Sequence, residues 1–325
     1  MKAIRLTGFE GLDSLEYSDV SIPRPAADEV LIRVKAAGIN YAEVEQIYGR
    51  YMTFGKELPF VMGFEVAGIV AEVGRDVTHI KPGDSVMAFS VSGGFAEYST
   101  AKADSLVPIP AGVSYAKATT IPIQGMTAYT LLKYLVLPHL PESILIQAAA
   151  GGVGIYLVQL AKLLGIKTVI GLVGSDEKAA FVSELGADVV INYARENWAH
   201  KVRQATNNKG VDVVLQMLVD EVGKASFKLL APEGRIILFG SKNYNDVITT
   251  DQIRQLIWNN QTLVGFAFPA LSPEKVIDSL PELLQFIQKD KLRIVADFEY
   301  TLEQYREAFA DLQNRKTIGK VFFSL

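Results

Sequence analysis

Ile144-Leu145-Ile146-Gln147-Ala148-Ala149-Ala150-Gly151-Gly152-Val153-Gly154 is a run of branched apolar residues that ends in small residues and glycines. The next segment, from Ile155 to Lys162, reads as a helix stopped at Gly165. A strand, a tight glycine-rich turn and a helix make the context in which a G-x-G-x-x-G pattern binds a dinucleotide. Ala149 stands in the first place, Gly151 in the second and Gly154 in the third. Gly151 lets a pyrophosphate approach the backbone, and Gly154 lets the helix pack close to the strand. A helix N-terminus offers phosphates unpaired N–H groups and partial positive charge. Ala150, Gly151, Gly152, Val153 and Gly154 are therefore candidate cofactor-binding residues. A tight turn with no ligand is the plain alternative. A membrane span is the other, because Ser143 to Ala161 carries no charge. The glycine cluster and the alternation that follows argue against a span.

Working outward, Thr168–Val173 reads as a second strand, followed by a helix from Glu177 to Leu185 capped by Gly186. Val189–Asn192 is a third strand, with a helix near Asn197–Ala205 after it. Val211–Leu215 and Arg235–Gly240 are a fourth and a fifth, and Thr262–Ala267 a sixth. Strands separated by helices imply right-handed crossovers and a doubly wound parallel sheet, an α/β Rossmann fold. Upstream, residues 1 to about 120 are β-rich, with short strands punctuated by Gly and Pro and one helix around Tyr41–Tyr48. Downstream, Ser272-Pro273 opens a helix toward Lys289, and Thr301-Leu302-Glu303-Gln304 is a capping box opening another. Lys320–Phe323 is a final strand, best used to complete the N-terminal β-domain.

The chain has 325 residues, enough for two domains, and a net charge of −4, which gives no sign of nucleic-acid binding. It contains no cysteine, so disulfides, thiolate nucleophiles and Cys-ligated zinc are excluded. His79, His139 and His200 match no local ligand motif. The first residues lack the apolar core of a signal peptide, and a soluble cytoplasmic protein with no membrane partner is expected.

Several ordered blocks carry a more specific message. Gly38-Ile39-Asn40-Tyr41-Ala42-Glu43 is similar to G-x-N-[FY]-x-[DE], with Gly49-Arg50-Tyr51 as the G-x-Y after it. Gly63-Phe64-Glu65-Val66-Ala67-Gly68 runs on through Val73-Gly74 to Gly83-Asp84-Ser85-Val86. Gly93–Tyr98, Thr127-Ala128-Tyr129, the turn with Gln159 and Lys162, and Gly319-Lys320-Val321 complete the set. Together these blocks resemble the zinc-independent quinone oxidoreductase (zeta-crystallin-like) branch of the medium-chain dehydrogenase/reductase superfamily, over nearly the whole chain. The resemblance implies a GroES-like catalytic domain of residues 1–122 plus 266–325, with a Rossmann NADP-binding domain of residues 123–265 inserted in it. It also implies an active site in the cleft between them and a homodimer formed through the cofactor domain. In zinc-dependent relatives a Cys stands near Ile39 and a His at Phe64, so no zinc is expected here. Three departures stand out. Ile47 replaces an Arg, the fourth strand ends in Gln216-Met217-Leu218 rather than Asp and a Gly-rich turn, and Pro141-Glu142 replaces Gly-Asp.

The second strand runs into Gly174-Ser175, with no carboxylate at its tip to hold a ribose 2′-hydroxyl. The resemblance assigns Ser175, Lys178 and Tyr193 to a 2′-phosphate, so NADPH is the expected cofactor. A solvated Lys178 is the alternative, and Asp176 or Glu177 gripping a 2′-hydroxyl stays open. The resemblance places Asn40 and Tyr51 at the cleft as catalytic candidates. Tyr51 would hydrogen-bond the substrate carbonyl or enolate and perhaps deliver its proton, or be a half-buried loop tyrosine. Asn40 would bond the ribose or the carbonyl, or stabilise a turn. Thr127, Gly240, Phe266, Phe268 and Lys320 are further cofactor-site candidates, Lys320 near the phosphates or at the domain hinge, with packing, turn or solvated strand-end roles as alternatives. Tyr51, Phe54, Phe266 and Phe268 would shape the pocket. With no metal, charge must fall on hydrogen-bond donors, which suits quinones and α,β-unsaturated carbonyls as small-molecule substrates. The rivals are an enoyl reductase acting on thioester-bound acyl chains and a nucleotide-binding scaffold or RNA-binding crystallin-like protein. An extended apolar groove would favour the first, and a basic surface stripe the RNA-binding one.

Overall fold

The computed structural model describes residues 1–51, 57–89, 93–240 and 248–325. Phe54 lies outside the described residues. The chain forms two compact units, Met1–Ile123 with Ile294–Leu325, and Gln124–Arg293.

The first unit is built around the long strand Glu29–Ile39. One edge pairs with Glu65–Val73. The other serves two partners in turn, Tyr98–Lys102 along Glu29–Arg33 and Val321–Ser324 along Ala36–Ile39. The last strand therefore completes the sheet begun near the N-terminus, as its apolar pattern predicts. Phe323 meets Phe95 edge-on at 5.1 Å, and both are fully buried. The Thr301 capping box first opens a short 3-10 turn, Leu302–Gln304, and the helix Tyr305–Gln313 follows it.

The second unit is a six-stranded parallel sheet. Its strand order is Val189–Asn192, Thr168–Val173, Ser143–Ile146, Val211–Gln216, Leu230–Phe239, Thr262–Phe266. Ile144, Leu145 and Ile146 are fully buried, because a central parallel strand is covered on both faces. That is why its sequence is an unbroken apolar run rather than an alternation. The order reverses beside Ser143–Ile146, and ligands of such sheets bind at the carboxyl ends of the strands at that reversal. Helices Glu221–Phe227 and Thr250–Trp258 were not expected. The second carries a Thr249–Gln252 capping box and, behind it, Ile253, Leu256 and Ile257 at helical spacing.

Residues 266–293 pack with the second unit, so the boundary expected at 266 falls at 293. The helix Pro273–Gln288 takes the Tyr129 hydroxyl on its Glu282 and sets Leu283 against Gly125. Gln159 then pins the end of the unit, accepting from the Arg293 amide at 2.7 Å and donating to its carbonyl at 3.1 Å. No helix among the described residues is long and apolar enough to cross a membrane.

Candidate functional site

Strand register assembles a buried polar cluster in the first unit. Val321 lies opposite Ile39, which brings Lys320 beside Asn40, and Glu65 lies opposite Gly38. Lys320 and Glu65 are both fully buried. The Lys320 ammonium donates to Asn40 Oδ1 at 2.8 Å and to Glu65 Oε1. Asn40 Nδ2 donates to the same Glu65 oxygen at 2.9 Å. Asn40 also caps the helix Tyr41–Gln46 in a capping box with Glu43. The Glu43 carboxylate accepts from the Asn40 amide at 2.8 Å and from the Phe64 amide at 3.2 Å. A side chain at Gly38 would strike this cluster, since a Cβ there would lie 2.4 Å from Lys320 Cε and 2.5 Å from Glu65 Oε1.

This geometry corrects the expectation for Lys320. It holds neither a phosphate nor solvent at a strand end, because its ammonium is sealed in the core against a carboxylate that needs its charge. Asn40 caps the helix, and its carboxamide also meets Lys320 and Glu65. Tyr51 is half-buried and meets Phe64 edge-on at 6.0 Å. Burial, then the charge of Glu43, raises its hydroxyl above the ordinary tyrosine value, so the phenol stays protonated and can donate.

Burial pushes the Glu43 carboxyl up to about 8, against the pull of Lys320 and of the Asn40 and Glu43 peptide N–H groups and with the charge of Glu65 adding to the rise. The folded chain then keeps a proton that the unfolded chain releases above the ordinary value of 4.5. Stability from this group is full below pH 4.5 and is lost as pH rises through about 8. Glu43→Gln should flatten that decline, which is at most about 1.4 kcal/mol per pH unit, in urea unfolding followed across the window. A variant with the wild-type slope would contradict the assignment.

In the second unit the glycine turn has the shape its pattern predicts. Gly151 is extended, with φ −79° and ψ 168°, and caps the helix Gly152–Leu163. A Cβ at Gly154 would lie 2.3 Å from the Ala148 carbonyl oxygen and 2.8 Å from Ala149 Cα. At Gly152 it would lie 2.1 Å from Gln124 Nε2. The first amides of this helix, from Gly152 through Val153 to Gly154, have no preceding turn to accept them. They are the kind of donor set that an anion takes at a helix N-terminus.

At the neighbouring strand tip, Ser175 caps the helix Asp176–Glu184 and accepts from the Lys178 amide at 3.2 Å. Tyr193 follows the third strand and donates its amide to Val173 O at 2.9 Å. Its hydroxyl would lie 3.0 Å from a Cβ on Gly174. Ser175, Lys178 and Tyr193 are thus gathered at one tip. Gly240 has φ +91° at the end of the fifth strand, where a built Cβ would lie 3.6 Å from Met217 Cγ. Thr127 is half-buried in the helix Met126–Leu131, Phe266 ends the edge strand, and Phe268 starts a 3-10 turn.

Gln147 was not expected. Fully buried, it accepts from the Met217 amide at 3.0 Å and the Leu218 amide at 2.7 Å, and donates to Ser226 at 2.8 Å. It secures the turn after the fourth strand, where a Gly-rich loop was missing. Its signal was an amide inside an otherwise apolar strand end.

Among the described residues no group of three or more His, Cys, Asp or Glu could hold a metal ion. Ile39 and Phe64 offer no ligand atom, and Glu65 spends an oxygen on Lys320. These residues do not fit a catalytic zinc.

Residues 26–111 match the alcohol dehydrogenase GroES-like domain family, and residues 152–289 match the zinc-binding dehydrogenase family. The chain is 32% identical to the quinone oxidoreductase of Rattus norvegicus, with 100% of this chain and 98% of the relative covered. It belongs to the quinone oxidoreductase family of medium-chain dehydrogenases/reductases. The fold agrees. A mycobacterial protein solved in complex with NADPH is 32% identical, with a TM-score of 0.90 and both chains covered in full. The Escherichia coli quinone oxidoreductase, also solved with NADPH, is 27% identical, with a TM-score of 0.90 and both chains covered in full. Membership in the quinone oxidoreductase family makes the chain an oxidoreductase with a GroES-like domain and a Rossmann domain.

Proposed function

We propose that the protein is an NADPH-dependent, zinc-independent oxidoreductase that reduces quinones or α,β-unsaturated carbonyls. The observation that carries the cofactor reading is the gathering of Ser175, Lys178 and Tyr193 at one strand tip, next to the strand that feeds the glycine turn. Two relatives solved with NADPH support it. NADPH, when bound, supplies the hydride. The amides of Gly152, Val153 and Gly154, with that of Ala150, would hold the pyrophosphate, while the Gly151 amide closes the turn on Ala148 O at 2.8 Å; the hydroxyls of Ser175 and Tyr193 with the Lys178 ammonium would hold the 2′-phosphate. Thr127, Gly240, Phe266 and Phe268 would line the remainder of the cofactor's path in this unit. On the first unit, the Tyr51 phenol is the donor best suited to a developing oxyanion, since its hydrogen stays in place at neutral pH. A single donor serves conjugated acceptors, whose π-system spreads the charge, better than simple ketones.

The test is NADPH and NADH oxidation with EDTA present, against 1,2-naphthoquinone, 9,10-phenanthrenequinone, a medium-chain 2-alkenal and an enoyl thioester. Turnover with NADPH and a quinone or the alkenal, indifferent to EDTA, is expected. Loss of activity to EDTA would overturn the zinc-free reading. Turnover confined to the thioester would move the substrate class to acyl chains, and inactivity with every acceptor would overturn the assigned chemistry.

A further inference from the structure

Two carboxylates, Asp176 and Glu177, do stand near the second strand's tip, and the first lies nearer to it. Asp176 opens the helix after Ser175, about 20 residues beyond the glycine turn, where an acidic side chain would ordinarily take a ribose 2′-hydroxyl. By position alone it argues for NADH. Its oxygens, however, are occupied. Oδ1 accepts from Asn192 Nδ2 at 2.7 Å, and Oδ2 takes the Arg195 guanidinium. Asn192 is itself fixed, since its Oδ1 accepts from the Ala194 amide at 2.9 Å. The Arg195 amide closes the same turn on Asn192 O at 3.2 Å. The turn after the third strand therefore delivers Tyr193 and Arg195 together to the tip that holds Ser175 and Lys178.

We propose that Arg195 sets the cofactor choice of this chain: it masks the Asp176 carboxylate and adds positive charge beside the residues assigned to the 2′-phosphate. The inference rests on the NADPH reading above and deepens it. Arg195 holds the Asp176 carboxyl below the ordinary aspartate value, with Asn192 and, from the next helix, Lys201 acting the same way. The pair is not needed for stability. The two side chains are 66% and 61% exposed, and ion pairs so exposed contribute little to folding. The pair can therefore be removed without unfolding the chain, which keeps its role in binding testable.

Dissociation constants for NADPH and NADH would be measured by cofactor fluorescence for the full chain and for Arg195→Ala, Asp176→Ala and the double variant, with thermal melts as a check on folding. Wild type should prefer NADPH, and Arg195→Ala should cut that preference by about tenfold or more. Asp176→Ala should keep it, and the double variant should regain part of what Arg195→Ala loses, because the unmasked carboxylate is gone. An Arg195→Ala preference within about twofold of wild type would overturn the proposal, since twofold is well below the loss of one charge-assisted bond. A double variant no better than Arg195→Ala would remove the masking role. A wild type that binds NADH as tightly as NADPH, or that binds neither, would instead overturn the NADPH reading and this inference with it.

Discussion

Lys320→Met should destabilise the first unit by about 3–5 kcal/mol, the usual cost of removing one partner from a buried ion pair. Methionine matches the lysine stem in length and apolar character, so packing changes little. The charge is what is lost. Glu65 would be left fully buried with its Oε1 facing only Asn40, and its other oxygen, Oε2, already has no hydrogen-bond partner among the described residues. Asn40 would lose a donor to its Oδ1, which loosens the cap on Tyr41–Gln46. The double variant Lys320→Met/Glu65→Gln should recover part of the loss, since a neutral amide does not leave a buried charge unpaired. Both tryptophans, Trp198 and Trp258, lie in the second unit, so their fluorescence does not report this change. Hydrogen exchange at Val321–Phe323 does, because those amides exchange only when the first unit opens. Unchanged protection there would mean that the ion pair contributes nothing to holding the sheet.

Gly154→Val should nearly abolish use of NADPH. Its first carbon would fall 2.3 Å from a backbone carbonyl oxygen, and backbone cannot swing aside as a side chain can. The helix must back away from the central strand, at a packing cost of about 1–3 kcal/mol. The phosphate-facing amides move with it, and a displacement near 1 Å at a positioning element lowers kcat/KM by about 100-fold. Gly151→Ala separates fold from ligand. Its nearest clash is milder, with the Ala148 oxygen at 3.2 Å, so the folded unit should survive while pyrophosphate approach is blocked. Steady-state kinetics with NADPH, alongside circular dichroism, would decide. Near-normal kcat/KM in Gly154→Val would show that the turn is structural and carries no cofactor.

Position 154 was legible because its constraint is local. The helix it opens and the carbonyl it must clear are separated by a few residues, and glycine is the only side chain that satisfies both. The same holds for the final strand, whose apolar residues require a sheet edge. The helix Thr250–Trp258 does carry an apolar stripe, Ile253, Leu256 and Ile257, but three apolar positions across nine residues, none of them fully buried, make a short signal that was passed over. Gln147 and Asp176 were visible as residues but not as roles, since their partners arrive from other strands.

The sequence by itself determined the alternation of strands and helices, the glycine turn, the absence of cysteine chemistry, and the return of the last strand to the first domain. These follow from periodicity, backbone freedom and composition, all of which act over a few residues. Only the tertiary structure decided that Lys320 is a buried counter-ion to Glu65, 255 positions away, and that Asp176 is paired with Arg195. Strand register sets both outcomes. A charge is buried or exposed, paired or unpaired, according to which distant residue the sheet places opposite it.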